Sequence, residues 1–312
     1  MTDDRLFRPA RSEGAQVIPV GVARRGAAGR TLRTIAVTSG KGGVGKTSIA
    51  AALAVSLGRS GARVLALDGD LGKANLDLVM GVLPGRSLID ALAGRCSIED
   101  TLVSGPEGVT LLPTCSGRYE LANLGDEQRY GLFSAIDSLE HRFDVLLVDT
   151  AAGITSNAVA FAAAARDVVL VATPEPTSLA DAFAMAKVLS RRCQVPRVRV
   201  LANMVSSPRE GELVFRRLAN LADRFLDIGM DYLGFVYRDP CVPASVARGR
   251  PFNLAEPESP ASRCIAAIAA KVGLGGAAHG HGGIGLFWRR LIEIQEAPPQ
   301  PPRMAVPQGA NP

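Results

Sequence analysis

Short apolar runs alternate with stretches of helical spacing from Thr34 to about Val272. The runs at 34–38, 63–67, 109–112, 144–148, 168–172 and 197–202 are continuous rather than alternating, as in strands covered on both faces. Between the first two, "TSIAAALAVSLGRSG" places Ile49, Leu53 and Leu57 four residues apart, with Gly58 and Gly61 near its end, and predicts a helix. Strand–helix alternation of this kind predicts an α/β fold, with a mostly parallel, twisted sheet and helices on both faces.

The pattern fades at both ends. Residues 1–33 are rich in Arg, Gly and Pro without lasting periodicity and read as a flexible basic arm, leaving 34–272 as the folded domain. Residues 273–283, within "GLGGAAHGHGGIG", read as a Gly-rich linker in which His279 and His281 are spacers rather than metal ligands. Residues 284–296 regain helical spacing. Wound from Ile284, the segment puts Phe287, Trp288, Leu291, Ile292 and Ile294 on one side and Arg289, Arg290 and Glu293 on the other, with Leu286 as the exception. Trp and Phe beside paired arginines suit an interfacial helix on anionic lipid, with Ile284, Phe287, Trp288, Leu291 and Ile294 as its membrane-facing residues; docking on its own domain is the alternative. Residues 297–312 are Pro-rich and are expected to be disordered.

Composition narrows the classes. Aromatic residues make up only 5% of the 312, so the core is expected to be Ala, Val, Leu and Ile. The net charge of +5 is loaded partly on Arg5, Arg8, Arg11, Arg24, Arg25, Arg30 and Arg33, outside the predicted fold, so it does not indicate a nucleic-acid groove; an anionic membrane surface suits it. Cys96, Cys115, Cys193, Cys241 and Cys264 form no CxxC pair and there are only three histidines, which disfavours zinc, iron–sulfur and disulfide frameworks and predicts buried thiols in a reducing compartment. The first 33 residues hold no secretory apolar core and no run is long enough to span a bilayer, so a cytoplasmic protein is expected.

The chemistry is concentrated at strand ends. Gly40-Lys41-Gly42-Gly43-Val44-Gly45-Lys46-Thr47 satisfies G-x-x-x-x-G-K-[ST], follows an apolar strand and opens an amphipathic helix, with Ser48 next in line. Its glycines let backbone N–H groups wrap phosphates at a helix N-terminus. Lys46 is expected to reach the β and γ phosphates and Thr47 to ligate magnesium. Asp68 and Asp70 end one strand and Asp149 another, at the sheet edge expected to carry the phosphate loop. A lone strand-end aspartate is often a helix cap; three at one edge favour a magnesium–nucleotide site.

"KGGVGKT", "DGDLGKANLDLVMG" and "DTAAGI" together resemble the deviant-Walker-A ATPases of the MinD/ParA group, over roughly Leu32 to Lys271. The resemblance implies a P-loop NTPase that takes ATP and Mg2+ and dimerises face to face when ATP-bound. Lys41, the second lysine, would cross to the partner's phosphates and neutralise transferring charge as an arginine finger does. By matching positions, Asp70 would orient the attacking water, Asp68 would sit in the outer magnesium sphere, and Asp149 would hold magnesium through water. Asn203 would contact adenine, and Asp239 and Pro240 would lie beside it.

Finer features, "VDTAAGITSNAVAF", "VATPEPTSLADAFAMAKVL", "MDYLGFVYRDPCVPASVARGRPF" and "SPASRCI", resemble the FlhG/FleN flagellar-number branch. That branch often opens with a DQAxxLR motif which "DDRLFRPAR" does not match. The implied function is a slow, regulatory ATPase switch for flagellar number or placement, held peripherally at the inner face of the cell membrane. The implied partners are a FlhF-like GTPase, a flagellar transcription activator or a C-ring component. A MinD-type division-site regulator, a ParA-like DNA-binding partition ATPase and a non-hydrolysing scaffold for a transcription activator are the competing readings; nucleic acid is not an expected partner.

Overall fold

The computed structural model describes residues 32–70, 74–114, 139–274 and 284–296. Strands β1 (Arg33–Thr38), β2 (Val64–Gly69), β3 (Val103–Ser104), β4 (Val109–Leu112), β5 (Val145–Thr150), β6 (Asp167–Ala172), β7 (Arg197–Val205) and β8 (Gly229–Tyr237) form one sheet in the order β3-β4-β2-β5-β1-β6-β7-β8. Only β3 runs antiparallel to its neighbour. The six apolar runs all become strands, offset by a few residues at most. β3 and β8 lie outside those runs: β3 is two residues long, and in β8 Asp231 and Gly234 break the apolar sequence.

Helices cover both faces, as the alternation predicts. Helix α1 (Lys46–Arg59) follows β1 and is buried along almost its whole length, which its alanines permit by letting the neighbours approach closely. It packs under α9 (Pro260–Leu274) and the short helices α2 (Leu76–Met80) and α8 (Phe252–Ala255). The opposite face carries α4 (Ser156–Ala164), α5 (Pro176–Cys193) and α6 (Pro208–Phe225), while α3 (Leu88–Leu92) and α7 (Cys241–Ala247) close the ends. β1 lies between β5 and β6, so the connection from β1 to β2 runs to one side of it and the connection from β5 to β6 crosses to the other. The crevice at the carboxyl ends of β1, β2 and β5 is therefore the ligand position of an open parallel sheet.

The domain boundaries differ from those expected. Leu32 is 1% exposed and Arg33 is already in β1, ion-paired with Asp167 at 2.6 Å, so the fold begins before Thr34. At the other end α9 runs through Gly273 to Leu274, two residues into the expected linker. Cys96, Cys193, Cys241 and Cys264 are free but half-buried rather than buried; Cys115, the arm before Leu32, His279, His281 and the Pro-rich tail lie outside the described residues.

The last helix, α10 (Ile284–Glu296), packs on α4 rather than standing apart. Phe287, Trp288 and Leu291 are 1%, 1% and 0% exposed, and Ile292 joins them, while Ile294 is only half-buried. Phe161 of α4 lies 6.2 Å from the Phe287 ring and 6.3 Å from the Trp288 ring, the latter edge-on, a favourable aromatic arrangement. Gln295 Nε2 donates to Asn157 Oδ1 at 2.9 Å. The side predicted to face lipid is thus the docked side, and Arg289, Arg290 and Glu293 face solvent as expected. Two buried polar atoms of this dock, Trp288 Nε1 and Gln295 Oε1, find no hydrogen-bond partner among the described residues. Each such atom costs about 1–3 kcal/mol, comparable to the roughly 1.5–3 kcal/mol contributed by one large buried apolar side chain. The dock is a fit with two flaws.

Trp288 is the sole tryptophan, so it reports the dock directly. The nucleotide-free protein should show blue-shifted emission that acrylamide quenches poorly. Emission near that of free indole, with full quenching, would show that α10 is not docked in solution.

Candidate nucleotide site

The loop between β1 and α1 is shaped by close approach. Gly45 has φ +83°, and a Cβ there would lie 2.5 Å from Asn203 Nδ2. A Cβ on Gly40 would lie 1.9 Å from the Asp181 carbonyl oxygen of α5. Neither position accepts a side chain without the loop moving. Asn203 Nδ2 donates to the Val44 carbonyl at 2.7 Å, so this buried amide, at the end of β7, holds the loop's curvature. The next residue, Met204, adopts φ +58°, a strained conformation for a side-chain-bearing residue and one that clusters at functional sites. Gly42 and Gly43 are exposed at the tip and Ser48 is half-buried in the first turn of α1.

The two lysines have different partners. Lys46 is buried and its Nζ lies 3.2 Å from Asp149 Oδ1. Asp149 also takes a hydrogen bond from the Thr47 hydroxyl. Burial pushes the Asp149 carboxyl up, against the charge of Lys46 and the bonds from Thr47 and Lys46, with a smaller upward push from Asp70. Lys41, half-exposed, turns away to α5: its Nζ lies 3.0 Å from Glu175 Oε2 and donates to Thr177 Oγ1 at 2.9 Å. Glu175 and Thr177 are functional candidates that motif reading missed. Their only signal is position, "TPEPTS" following a strand at the same sheet edge.

Asp68 and Asp149 are direct register partners on β2 and β5. Asp68 is 2% exposed. Its Oδ1 accepts from the Asp70 N–H at 2.9 Å, and its Oδ2 from the Asn75 and Leu76 N–H groups at 2.8 and 2.9 Å. Burial first, and the Asp149 charge second, push its carboxyl up to about 7 despite these bonds. Asp68 thereby shapes the turn that carries Asp70, which is half-buried at the strand end. Asp239 is occupied in a similar way. Its carboxylate accepts from the Cys241 and Ala261 N–H groups at 3.0 and 3.2 Å, joining the starts of α7 and α9, and Pro240 caps α7. Burial pushes Asp239 up, but those bonds outweigh it and hold the carboxyl below its usual value.

This arrangement fits magnesium and a phosphate chain. A glycine turn without room for side chains wraps the start of a helix, a buried lysine stands at its base, and a hydroxyl and a buried carboxylate share one point. The loop, Lys46, Thr47, Asp68, Asp70 and Asp149 converge at one sheet edge, and Asn203 reaches the loop itself. The α10 residues are on the other side of α4, away from the loop.

The raised carboxyl of Asp68 has a pH signature. Its unfolded value is 3.8 and its folded value about 7, so between these the folded state holds more protons. Stability then falls as pH rises through that window, by about 1.4 kcal/mol per unit for this group. In urea denaturation without nucleotide, the stability of Asp68→Asn relative to the parent should rise from pH 5 to pH 7.5. A difference that stays flat or declines would refute the protonated carboxyl.

Residues 35–252 match the CobQ/CobB/MinD/ParA nucleotide binding domain. The chain is 45% identical over 241 residues to the antiactivator FleN of Pseudomonas aeruginosa, covering 77% of this chain and 86% of that one. It is 32% identical over 264 residues to the flagellum site-determining protein YlxH of Helicobacter pylori, covering 83% and 89%. The septum site-determining protein MinD of Pyrococcus horikoshii, solved with Mg-ADP, superposes with a TM-score of 0.64 at 29% identity, over 78% of this chain and 96% of that one. With the phosphate loop, its second lysine and the strand-end carboxylates in place, the chain belongs to the CobQ/CobB/MinD/ParA nucleotide-binding family as a MinD/ParA-type P-loop ATPase of the FleN/FlhG branch.

Proposed function

We propose that this chain is an ATP-gated dimerising switch that sets flagellar number or placement at the membrane surface. The observation that carries the reading is the path from Asp149 to the tail. Asp149 is the penultimate residue of β5, and α4, on which α10 docks, begins seven positions on at Ser156. A shift at the nucleotide site is thus delivered to the surface that holds the tail helix. The flagellar reading rests on the FleN and YlxH relatives.

Bound MgATP supplies the β–γ phosphoanhydride whose hydrolysis ends the active state. Lys46 would exchange Asp149 for phosphate oxygens, and the loop N–H groups would hold the chain of phosphates. Thr47 and Asp149 would position the metal, with Asp68 fixing the turn that aims Asp70 at the attacking water. Asn203, Asp239 and Pro240 would border the base. Lys41 would leave Glu175 and Thr177 and reach across to a second copy, where its charge neutralises the transferring phosphoryl group.

The membrane arm of the reading uses the flawed dock. At a lipid interface an indole N–H finds partners and an apolar face stays covered. One short helix binds weakly, since it must also be held in order; two on one dimer act with avidity. The chain would then sit peripherally on the inner face of the cell membrane. Among the described residues no helix is long and apolar enough to cross it. The protein partner falls among a flagellar transcription activator, a FlhF-like GTPase and a C-ring component; FleN's description as an antiactivator favours the first.

Four measurements check this. Lys41→Ala should keep ATP binding but lose ATP-dependent dimers by light scattering and lower hydrolysis about a hundredfold; a variant that dimerises and hydrolyses normally rules the role out. Asp70→Ala should accumulate an ATP-bound dimer, and hydrolysis at the parental rate would remove Asp70 from water positioning. Phe287→Glu with Leu291→Glu should abolish sedimentation with anionic liposomes while ATP-dependent dimers persist. Equal sedimentation of parent and variant would leave α10 a purely structural helix, and parental binding that ignores ATP would remove the gating. Flagellar counts in a deletion strain separate this function from control of the division site.

A further inference from the structure

A groove of about 470 Å3 runs along the edge of β8, between that strand and α9. Tyr232, Phe235 and Tyr237 line it from the strand, and Arg263, Ala267 and Lys271 from the helix. The aromatic side is rigid: Tyr232 stacks on Phe215 at 5.1 Å, and Phe235 and Tyr237 meet edge to face at 5.1 Å. The Tyr232 hydroxyl has no hydrogen-bond partner among the described residues. The helical side is cationic and exposed. Arg263 makes no ion pair among the described residues, and Lys271 Nζ donates only to the Leu233 carbonyl at 3.0 Å.

The sheet is not open to growth here. The β7–β8 register steps from Val200↔Tyr232 to Leu201↔Gly234, leaving Leu233 as a bulge whose carbonyl Lys271 covers. A bulge and a lysine are devices that blunt an edge against strand addition. What remains is a surface that reads side chains. Arg263, Ala267 and Lys271 are spaced four apart and form one stripe on α9. The two cations are eight residues apart, about 12 Å along a helix. In an extended chain, side chains four residues apart on one face are about 13 Å apart. Carboxylates with that spacing would meet both cations, and the side chain midway between them would fall over Ala267 in the groove.

We propose that this groove binds an acidic, extended segment of a partner protein, in which two carboxylates four residues apart flank an apolar residue. The chain's own ends do not fit by charge. Residues 1–31 carry more arginine than acid, and residues 297–312 contain Arg303 and no acid. The groove would give the switch a second contact surface, on the sheet edge farthest from β3.

The test uses the full chain and a fluorescein-labelled peptide with the core Glu-Ser-Leu-Ser-Glu, read by anisotropy. The parent should bind it, lose it as salt rises, and bind the Lys-Ser-Leu-Ser-Lys and Glu-Ser-Ser-Ser-Glu peptides at least about tenfold more weakly. Arg263→Glu with Lys271→Glu should reverse the preference between acidic and basic peptides, with ATP hydrolysis and Trp288 emission unchanged. Both substitutions are at exposed positions, and those two readouts report a folded chain. A parent that does not distinguish acidic from basic peptide, or a variant that binds the acidic peptide as the parent does, overturns the proposal. So does a variant whose only loss is binding to phosphatidylglycerol vesicles, which would make the stripe a lipid contact.

Discussion

The constraint on which the site depends is the adjacency of two buried carboxylates. Parallel pairing of β2 with β5 sets Asp68 directly beside Asp149, and both are 2% exposed. Two like charges out of water repel strongly, and one lysine balances only one of them. The fold resolves the conflict unequally. Asp149 takes Lys46 and the Thr47 hydroxyl, while Asp68 takes three backbone N–H groups and is pushed toward its neutral form. The result sets Asp70, tied through its N–H to Asp68, beside a carboxylate whose counterion, Lys46, is also the natural ligand of phosphate. Such a site is stable in one state and responsive in another, because moving Lys46 leaves a buried charge that a divalent cation would satisfy.

The same strand end reaches the tail helix. β5 turns through 151–155 into α4, with the Thr155 hydroxyl accepting from the Ala158 N–H to fix where that helix starts. α4 is almost wholly apolar and lies between the sheet and α10. A helix so enclosed moves as a body or not at all, since close-packed interiors transmit displacement rather than absorb it. The contact with α10 is the most extensive that α4 makes, and its flaws are the Trp288 and Gln295 atoms that find no partner among the described residues.

The parallel core was legible because its strands are continuous apolar runs, and β3 and β8 were not because their burial is one-sided or interrupted. The phosphate loop, Lys46 and Asp149 were legible because each chemistry sits on a motif at a strand end. Asp68 was legible as acidic but not as the residue that builds the Asp70 turn, since its partners are backbone groups that leave no trace in side-chain spacing. Asp239 was likewise read as a base-side residue, although its carboxylate joins two helix starts. The tail helix shows the sharpest limit. Its apolar face was plain, but periodicity gives the existence of a face and not what covers it, and here Phe161 covers it.

Lys41 shows how the loop and α5 are bound into one unit. Gly40 packs directly on the Asp181 carbonyl, and one residue later Lys41 reaches back to Glu175 and Thr177 at the start of the same helix. The backbone contact is close-packed, whereas the ion pair is exposed and worth less than about 1 kcal/mol. The loop is therefore fixed in place while the lysine that leaves it is held lightly. Its Glu175 contact orients the ammonium without trapping it, the balance that the proposed reach of Lys41 to a second copy would require.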